Sequence, residues 1–505
     1  MNSPVSSSPE PRALAQRCAE QLRALRADML VAERRHLPLL ERRGRARAPS
    51  IRNFIHYLAL RHHDIRPLQE DLARLGLSSL GRAEAHALCT VETVLHALGA
   101  LTGSPEPWPE ARGAPGFDDG SALLAEHTGT LLGPRPSGRG VRIMVTLPGE
   151  AALDLALVRS LVERGMNVAR INCAHDDAGT WARMAATVRQ AAEAAGHPCF
   201  IQMDLAGPKL RTGPCAPEIT LQVGDILLLT RAGEPGGPAE PGAEGKGQPA
   251  HIACSLPQVL DDVETGDRLF IDDGKIGGRV ESVDDLAARV RITQAKAQGS
   301  PLRADRGINL PDSQLDLPAL TEKDRADLES VARLADIVAL SFVERPRDVA
   351  DLDAELRRLG SATTGLVLKI ETRRGFASLP NLVLQAIGTR PLGVMIARGD
   401  MAVECGYERL AEIQEEMLWL CEAAHLPVIW ATQVLDRLSR KGLPTRAEIT
   451  DAAMAERAEC VMLNKGPHIL DAISLLDGIL RRMETHQHKK SATLRPLAVS
   501  QWLSE

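Results

Sequence analysis

Residues 365–371 read Gly-Leu-Val-Leu-Lys-Ile-Glu, and residues 392–400 read Leu-Gly-Val-Met-Ile-Ala-Arg-Gly-Asp. Each is a short apolar run that ends in charge, the pattern of a strand buried on both faces whose polar groups gather at one end. The same kind of run recurs at 142–147, 167–172, 199–204, 336–341, 427–432 and 459–463. Helical segments alternate with these runs, for example 151–164, 178–194, 321–334, 405–424 and 468–483. Eight such runs interleaved with helices give the count of a closed parallel (β/α)8 TIM barrel, an α/β fold.

The alternation breaks between 214 and 306, where the pattern is all-β: Ile219 to Thr230, Asp267 to Ile276, Gly277 to Val283 and Ala288 to Ala295. This predicts a small β-barrel domain inserted after the third strand, so the catalytic barrel spans 141–213 and 307–485. A Gly/Pro/Glu run from Ala232 to Gly247 interrupts the insert. Its Gly245-Lys246 pair is no phosphate loop, because the Walker pattern needs Gly where Glu240 stands and Ser or Thr where Gly247 stands.

Residues 1–102 read as a helical region. Leu14, Cys18, Leu22, Leu25 and Met29 mark one face; Phe54, Tyr57, Leu58 and Arg61 mark another. Ser79 is the expected cap of a third helix with Leu88, Val91, Leu95 and Leu98 on its buried side. His62 and His63 are adjacent, so they point apart, and solvated histidines are expected. The Pro/Gly-rich 103–140 reads as a linker or surface loop, and 486–505 as a tail.

The bulk numbers narrow the function classes. The 505 residues include 60 Lys and Arg against 66 Asp and Glu, a formal net charge of -6, which argues against a nucleic-acid-coating protein. The nine scattered cysteines form no CxxC pair, which predicts reduced thiols and no zinc site. No 18-residue apolar run exists, so no membrane span is expected, and the N-terminus carries no signal-peptide core. A cytoplasmic protein is the expectation.

In a (β/α)8 barrel the active site lies at the C-terminal strand ends. There stand Arg170, Asn172 and His175; Asp204, then Arg211; Lys369 and Glu371, two apart and on the same side; Arg398-Gly399-Asp400; and Thr432 with Gln433. Charge converging from five strand ends suits phosphoryl transfer. Glu371 and Asp400 can hold a hard divalent cation, Lys369 and Arg170 can neutralise a moving phosphoryl group, and Thr432 can position a water or enol oxygen. On spacing alone, Lys369 and Glu371 fit a plain rim salt bridge equally well.

The segments VARINCAHD (168–176), MDLAGPKLRTG (203–213), FIDDGKI (270–276), RGINLPDSQLDLPALTEKD (306–324), LKIETRRG (368–375), VMIARGDMAVE (394–404), WATQVLDRL (430–438) and PTRAEITDAA (444–453) resemble the pyruvate kinase family, in that family's order. The resemblance covers 141–485. It implies transfer of a phosphoryl group between phosphoenolpyruvate and ADP, with Mg²⁺ or Mn²⁺ on Glu371 and Asp400. It gives Lys369 the transferring phosphoryl, Thr432 the proton-donating side of the enolate, and the backbone of Ala397, Arg398 and Gly399 the substrate carboxylate. Arg170 and Arg211 become phosphate contacts, Asn172 and His175 face the nucleotide, and Asp273 and Arg306 reach it from the insert, which acts as a lid.

The chain departs from the family pattern in places. Ala174 replaces a serine. Asp204-Leu205-Ala206-Gly207-Pro208-Lys209 replaces Asp-Thr-Lys-Gly-Pro-Glu. Asn464-Lys465-Gly466-Pro467 replaces Ser-Gly-Glu-Thr, and Thr146-Leu147-Pro148-Gly149 replaces Thr-Ile-Gly-Pro. These changes fall on the nucleotide side and on the monovalent-cation site, where Asn172 and Asp204 remain. Lysine at position 209 implies independence of K⁺, with the Lys209 ammonium expected close to Asp204 in the ion's stead. The family's C-terminal α/β domain is not present in this sequence, which leads to an expectation of no activation by fructose 1,6-bisphosphate and of a dimer rather than a tetramer. Two rival readings accompany this one: a related phosphoenolpyruvate or oxo-acid enzyme with another acceptor, and a catalytically weak barrel used for sensing or scaffolding.

Overall fold

The computed structural model describes residues 10–43, 47–109, 113–231, 235–240, 247–489 and 491–492. Eight parallel strands close into a barrel: β1 (Arg142–Thr146), β2 (Met166–Asn172), β3 (Phe200–Asp204), β4 (Ile337–Leu340), β5 (Gly365–Ile370), β6 (Leu392–Ala397), β7 (Val428–Val434) and β8 (Cys460–Leu463). Every strand pairs with its sequence neighbour, and β8 returns to β1 with Arg142 opposite Cys460. The pairing of β3 with β4, Gln202 opposite Ile337, holds although the insert separates them. All six residues of β5 and of β6 are buried, as the continuous apolar runs require.

The insert has a core of its own, built from Leu227, Leu229, Ile252, Leu269, Ile271, Val280, Val290 and Ile292 among others. Six strands run in the order 308–309, 268–271, 276–283, 287–294, 226–230, 250–253, with a two-stranded ladder, 219–221 with 300–302, beside them. The segment entering the insert bridges the two edges of this sheet, Arg211 pairing with Gly307 and Thr212 with Cys254, so the strands close on themselves as the small barrel expected from the sequence. Gly245 and Lys246 lie outside the described residues, as do the first nine and last thirteen residues.

The N-terminal region is helical and is no separate body. Helices Pro11–Arg35, Ala48–Arg61 and Ala87–Thr102 pack their apolar faces into the same continuous core that surrounds the barrel strands. Leu14, Cys18, Leu22, Leu25 and Met29 are all buried, as are Leu88, Val91, Leu95 and Leu98. Ser79 does not cap the last of these helices. Its N-cap is His86, with no side-chain cap bond. His62 and His63 are exposed.

The stretch expected as a linker contains a helix, Phe117–Leu132, opened by Asp118 and Asp119 in its first turn. Its Leu131 and Leu132 join the barrel-interior cluster of Met144, Val168, Ile337, Val367, Met395 and Ile429. Gly365 and Gly393 make room for this plug, since a Cβ at either would lie 2.5 Å from a Leu131 methyl. The barrel is thereby stoppered at the N-terminal ends of its strands. Four polar contacts fasten the region further. Asn53 Nδ2 donates to Ala423 O at 2.8 Å. His425, fully buried, places its ring nitrogens 2.9 Å from Ser50 Oγ and from Ala85 O. His127 Nδ1 lies 2.7 Å from the His425 carbonyl.

Candidate active site

The C-terminal strand ends bring six charged groups together. Lys369 and Glu371, at and just past the end of β5, both face the barrel mouth, as the period of two dictates. Lys369 Nζ lies 3.1 Å from Glu371 Oε1 and 3.4 Å from Asp204 Oδ2, and it donates to Ser341 Oγ at 2.6 Å. Asp204, wholly buried at the end of β3, also accepts from Arg170 Nε at 2.9 Å and from Gln202 Nε2 at 2.8 Å. Arg170 is anchored on its other edge by Thr146 Oγ1 at 3.0 Å.

Burial disfavours charge on Lys369, but the Glu371 and Asp204 carboxylates outweigh it and hold the ammonium pKa above its ordinary value. Burial likewise works against the Asp204 carboxylate, and Arg170 with Lys369 overcomes it and lowers the pKa. Glu371 moves the other way. Its burial, reinforced by the charge of Asp400, pushes its carboxyl pKa up despite Lys369. A carboxyl whose proton affinity is raised by burial and by a neighbouring carboxylate is one that a divalent cation would relieve, and both groups are hard oxygen donors. Among the described residues no group of three or more His, Cys, Asp or Glu gathers for a metal, so Glu371 and Asp400 would share a Mg²⁺ or Mn²⁺ with water or substrate oxygens.

β6 runs straight into the helix Arg398–Cys405, which puts Asp400 in its first turn, where the helix dipole favours a carboxylate. The Arg398 side chain turns to β7 and away from the mouth. It donates through Nε to Ala431 O at 2.8 Å, pairs with Asp451, and lies over the Trp430 ring with 4.8 Å to the centroid. It also donates to Thr432 O. Thr432 stands at φ 64°, a conformation a β-branched residue rarely adopts. Thr432 Oγ1 is buried with no hydrogen-bond partner, 3.9 Å from where a Cβ on Gly399 would stand. A strained residue with an unpaired buried hydroxyl at a strand end is a candidate reactive position.

Lys209 is not beside Asp204. Its Nζ lies 2.9 and 3.0 Å from the two oxygens of Asp400. Asp204 is already satisfied by Arg170, Lys369 and Gln202, so the electrostatic demand for a cation is greater at Asp400. Asn172 Oδ1 accepts from Ala174 N at 3.2 Å, and the Leu205 carbonyl accepts from Ser341 Oγ at 2.7 Å.

The residues assigned to the nucleotide stand apart from this network. His175 is exposed in the loop after β2, and Asp273 is exposed in a turn of the insert. Arg211 bonds Asp305 O at 3.2 Å, and Arg306 faces Asp272 at 3.8 Å. Among the described residues no hydrogen bond or ion pair joins these four to Lys369 or Glu371. The reading of strand ends missed Ser341, the Phe342 amide and Thr146. Ser341 is the last residue of the fourth apolar run and Thr146 closes β1, so a search of all eight ends finds both. Phe342 N donates to Glu371 Oε2 at 2.6 Å through a backbone group, which no side-chain pattern announces.

Residues 138–467 match the family model described as the pyruvate kinase barrel domain. The chain is 33% identical over 354 residues to pyruvate kinase of Geobacillus stearothermophilus, covering 68% of this chain and 57% of that protein. It is 32% identical over 365 residues to pyruvate kinase PKLR of Homo sapiens, covering 69% and 60%, and 30% identical over 355 residues to pyruvate kinase of Thermotoga maritima, covering 68% and 71%. The match to the first two therefore spans about three-fifths of their length. With two-thirds of its length given to that barrel and the KIE and ARGD strand ends meeting at one mouth, this chain belongs to the pyruvate kinase family.

Proposed function

We propose that the chain transfers a phosphoryl group between phosphoenolpyruvate and ADP, giving pyruvate and ATP. One observation carries the reading. A buried, charged lysine lies 3.1 to 3.4 Å from two carboxylates and shares a mouth with a strained threonine whose hydroxyl lacks a partner. A plain structural salt bridge needs no orphaned hydroxyl beside it.

Bound on Glu371 and Asp400, a divalent cation supplies Lewis-acid stabilisation of phosphoryl and enolate oxygens. The chain's own residues do the rest. Lys369, kept charged by Asp204 and Glu371, stabilises negative charge on the phosphoryl group as the enol-oxygen–phosphorus bond breaks and the bond to an ADP oxygen forms. Arg170, fixed by Asp204 and Thr146, is held ready for the same group. The backbone turn of Ala397, Arg398 and Gly399 opens a helix toward the substrate carboxylate. The Thr432 hydroxyl stands where a proton is delivered to the enolate carbon, directly or through water.

His175, Arg211, Asp273 and Arg306 contact the nucleotide when the inserted domain closes over the mouth. K⁺ is not required, because the Arg170, Lys369 and Lys209 side chains already bring three positive charges to a mouth with three carboxylates. The test is a coupled assay of pyruvate release with Mg²⁺ and ADP. Turnover with ADP is the expected result. Turnover only with another acceptor, or none with any nucleoside diphosphate, overturns the assignment.

A further inference from the structure

Lys209 stands in the short crossing that leads from β3 into the insert, two residues before Arg211, which bridges Gly307 on the returning crossing. Its stem also lies along that return, since a Cβ on Gly307 would be 2.9 Å from Lys209 Cε. The one side chain therefore touches both connections of the insert, and its ammonium sits on the barrel rim at Asp400. The return crossing has a second hold on the same short helix, with Asn309 Nδ2 donating to Glu404 Oε1 at 3.0 Å.

An ammonium centred 2.9 and 3.0 Å from both carboxylate oxygens covers the face through which Asp400 would bind a divalent cation. Such a cation needs those oxygens at about 2.0–2.6 Å, and like charges at so short a separation repel. The doubly charged ion shared with Glu371 wins the exchange, and lysine, on a flexible four-carbon stem, can leave.

We propose that Lys209 is a displaceable tether. It holds the insert's crossings against Asp400 until a divalent cation takes that carboxylate, and its release loosens the crossings. This rests on Asp400 being a metal ligand, as proposed above. Metal occupancy and freedom of the insert are then coupled, and the coupling is reciprocal.

The experiment titrates chelator-treated protein with Mn²⁺ alone. Free Mn²⁺ is followed by electron paramagnetic resonance, and amide hydrogen exchange is followed in peptides containing Thr212, Asp305 and Ile308, whose amides bond across the two crossings. In the wild type, Mn²⁺ is expected to raise exchange in these peptides. Lys209→Met is expected to bind Mn²⁺ about fivefold or more tightly, to show the raised exchange before metal is added, and to respond no further. Lys209→Arg, which keeps a cation, should return both readouts toward wild type. Asp400→Asn separates the two layers. If it binds Mn²⁺ like the wild type, the metal assignment fails. If it loses Mn²⁺ and shows the raised exchange without metal, the tether stands. Exchange unchanged by saturating Mn²⁺ in the wild type, or unchanged by Lys209→Met, overturns the proposal.

Discussion

The two ends of the barrel answer opposite demands. At the C-terminal mouth, six charged side chains crowd together with a raised Glu371, a strained Thr432 and an unpaired hydroxyl. At the base, Leu131 and Leu132 fill the hollow over Gly365 and Gly393, and the N-terminal helices seal the outside with matched hydrogen bonds. The mouth gathers local cost where chemistry is to happen, and the base keeps less of it, with His425 at φ 52° and His56 Nδ1 buried without a partner. Stability and activity should therefore separate cleanly by end.

The largest effect that sharpens the contrast is expected at the mouth. Lys369→Met should lower kcat by about 10² or more, the scale for one lost electrostatic contact, while the circular dichroism spectrum stays that of the folded chain. Pyruvate release within a few-fold of wild type would remove Lys369 from the chemistry and blur the two ends. At the base, Leu131→Ala should cost about 2–5 kcal/mol in denaturant unfolding, because the closed barrel cannot collapse onto the gap, with kcat/KM unchanged. A variant that loses activity and keeps its stability would break the division.

A pH series tests the base more finely. Burial holds the His425 imidazole at about 4, well below its value of roughly 6.5 in an unfolded chain. The neutral ring therefore contributes stability that is complete above about pH 6.5 and is lost as pH falls toward 4. Between pH 8 and pH 5 the loss should be about 2 kcal/mol. His425→Gln should flatten that part of the profile, and an equally steep variant would assign the acid sensitivity to other groups. The smallest expected effect is none at all. Replacing tetramethylammonium by K⁺ at matched ionic strength should change kcat/KM by less than about twofold, since the cationic side chains of the mouth already supply the field. A tenfold stimulation would show that Lys209, paired with Asp400 in the metal-free protein, does not stand in for the ion.

The barrel was legible because each strand is buried on both faces and so writes an uninterrupted apolar run. The eight runs read from sequence end within two residues of the observed strands, and 365–370 and 392–397 coincide with them. Lys369, Glu371, Asp400, Arg170 and Asp204 were legible for a related reason: charge at the end of an apolar run has only the rim to go to. Helix Phe117–Leu132 was hidden by its flanking prolines and glycines, although Leu124, His127 and Leu131 carry helical spacing. The partner of Lys209 was not legible at all. Position 209 is close to Asp204 in sequence, but the carboxylate left unsatisfied lies 191 residues away at Asp400.

The insert's two crossings also bear on how the chain reaches its fold. Thr212 N donates to Arg306 O at 2.8 Å, and Ile308 N to Leu210 O at 2.9 Å, so the insert begins and ends at one place. Once its independent core has formed, the long loop between β3 and β4 is already closed. The entropic penalty of bringing Gln202 to Ile337 then shrinks to that of a much shorter connection. The insert thus acts as a staple in time. It lowers the effective contact order of the barrel, and during synthesis it can complete itself while the last five barrel strands are still to come.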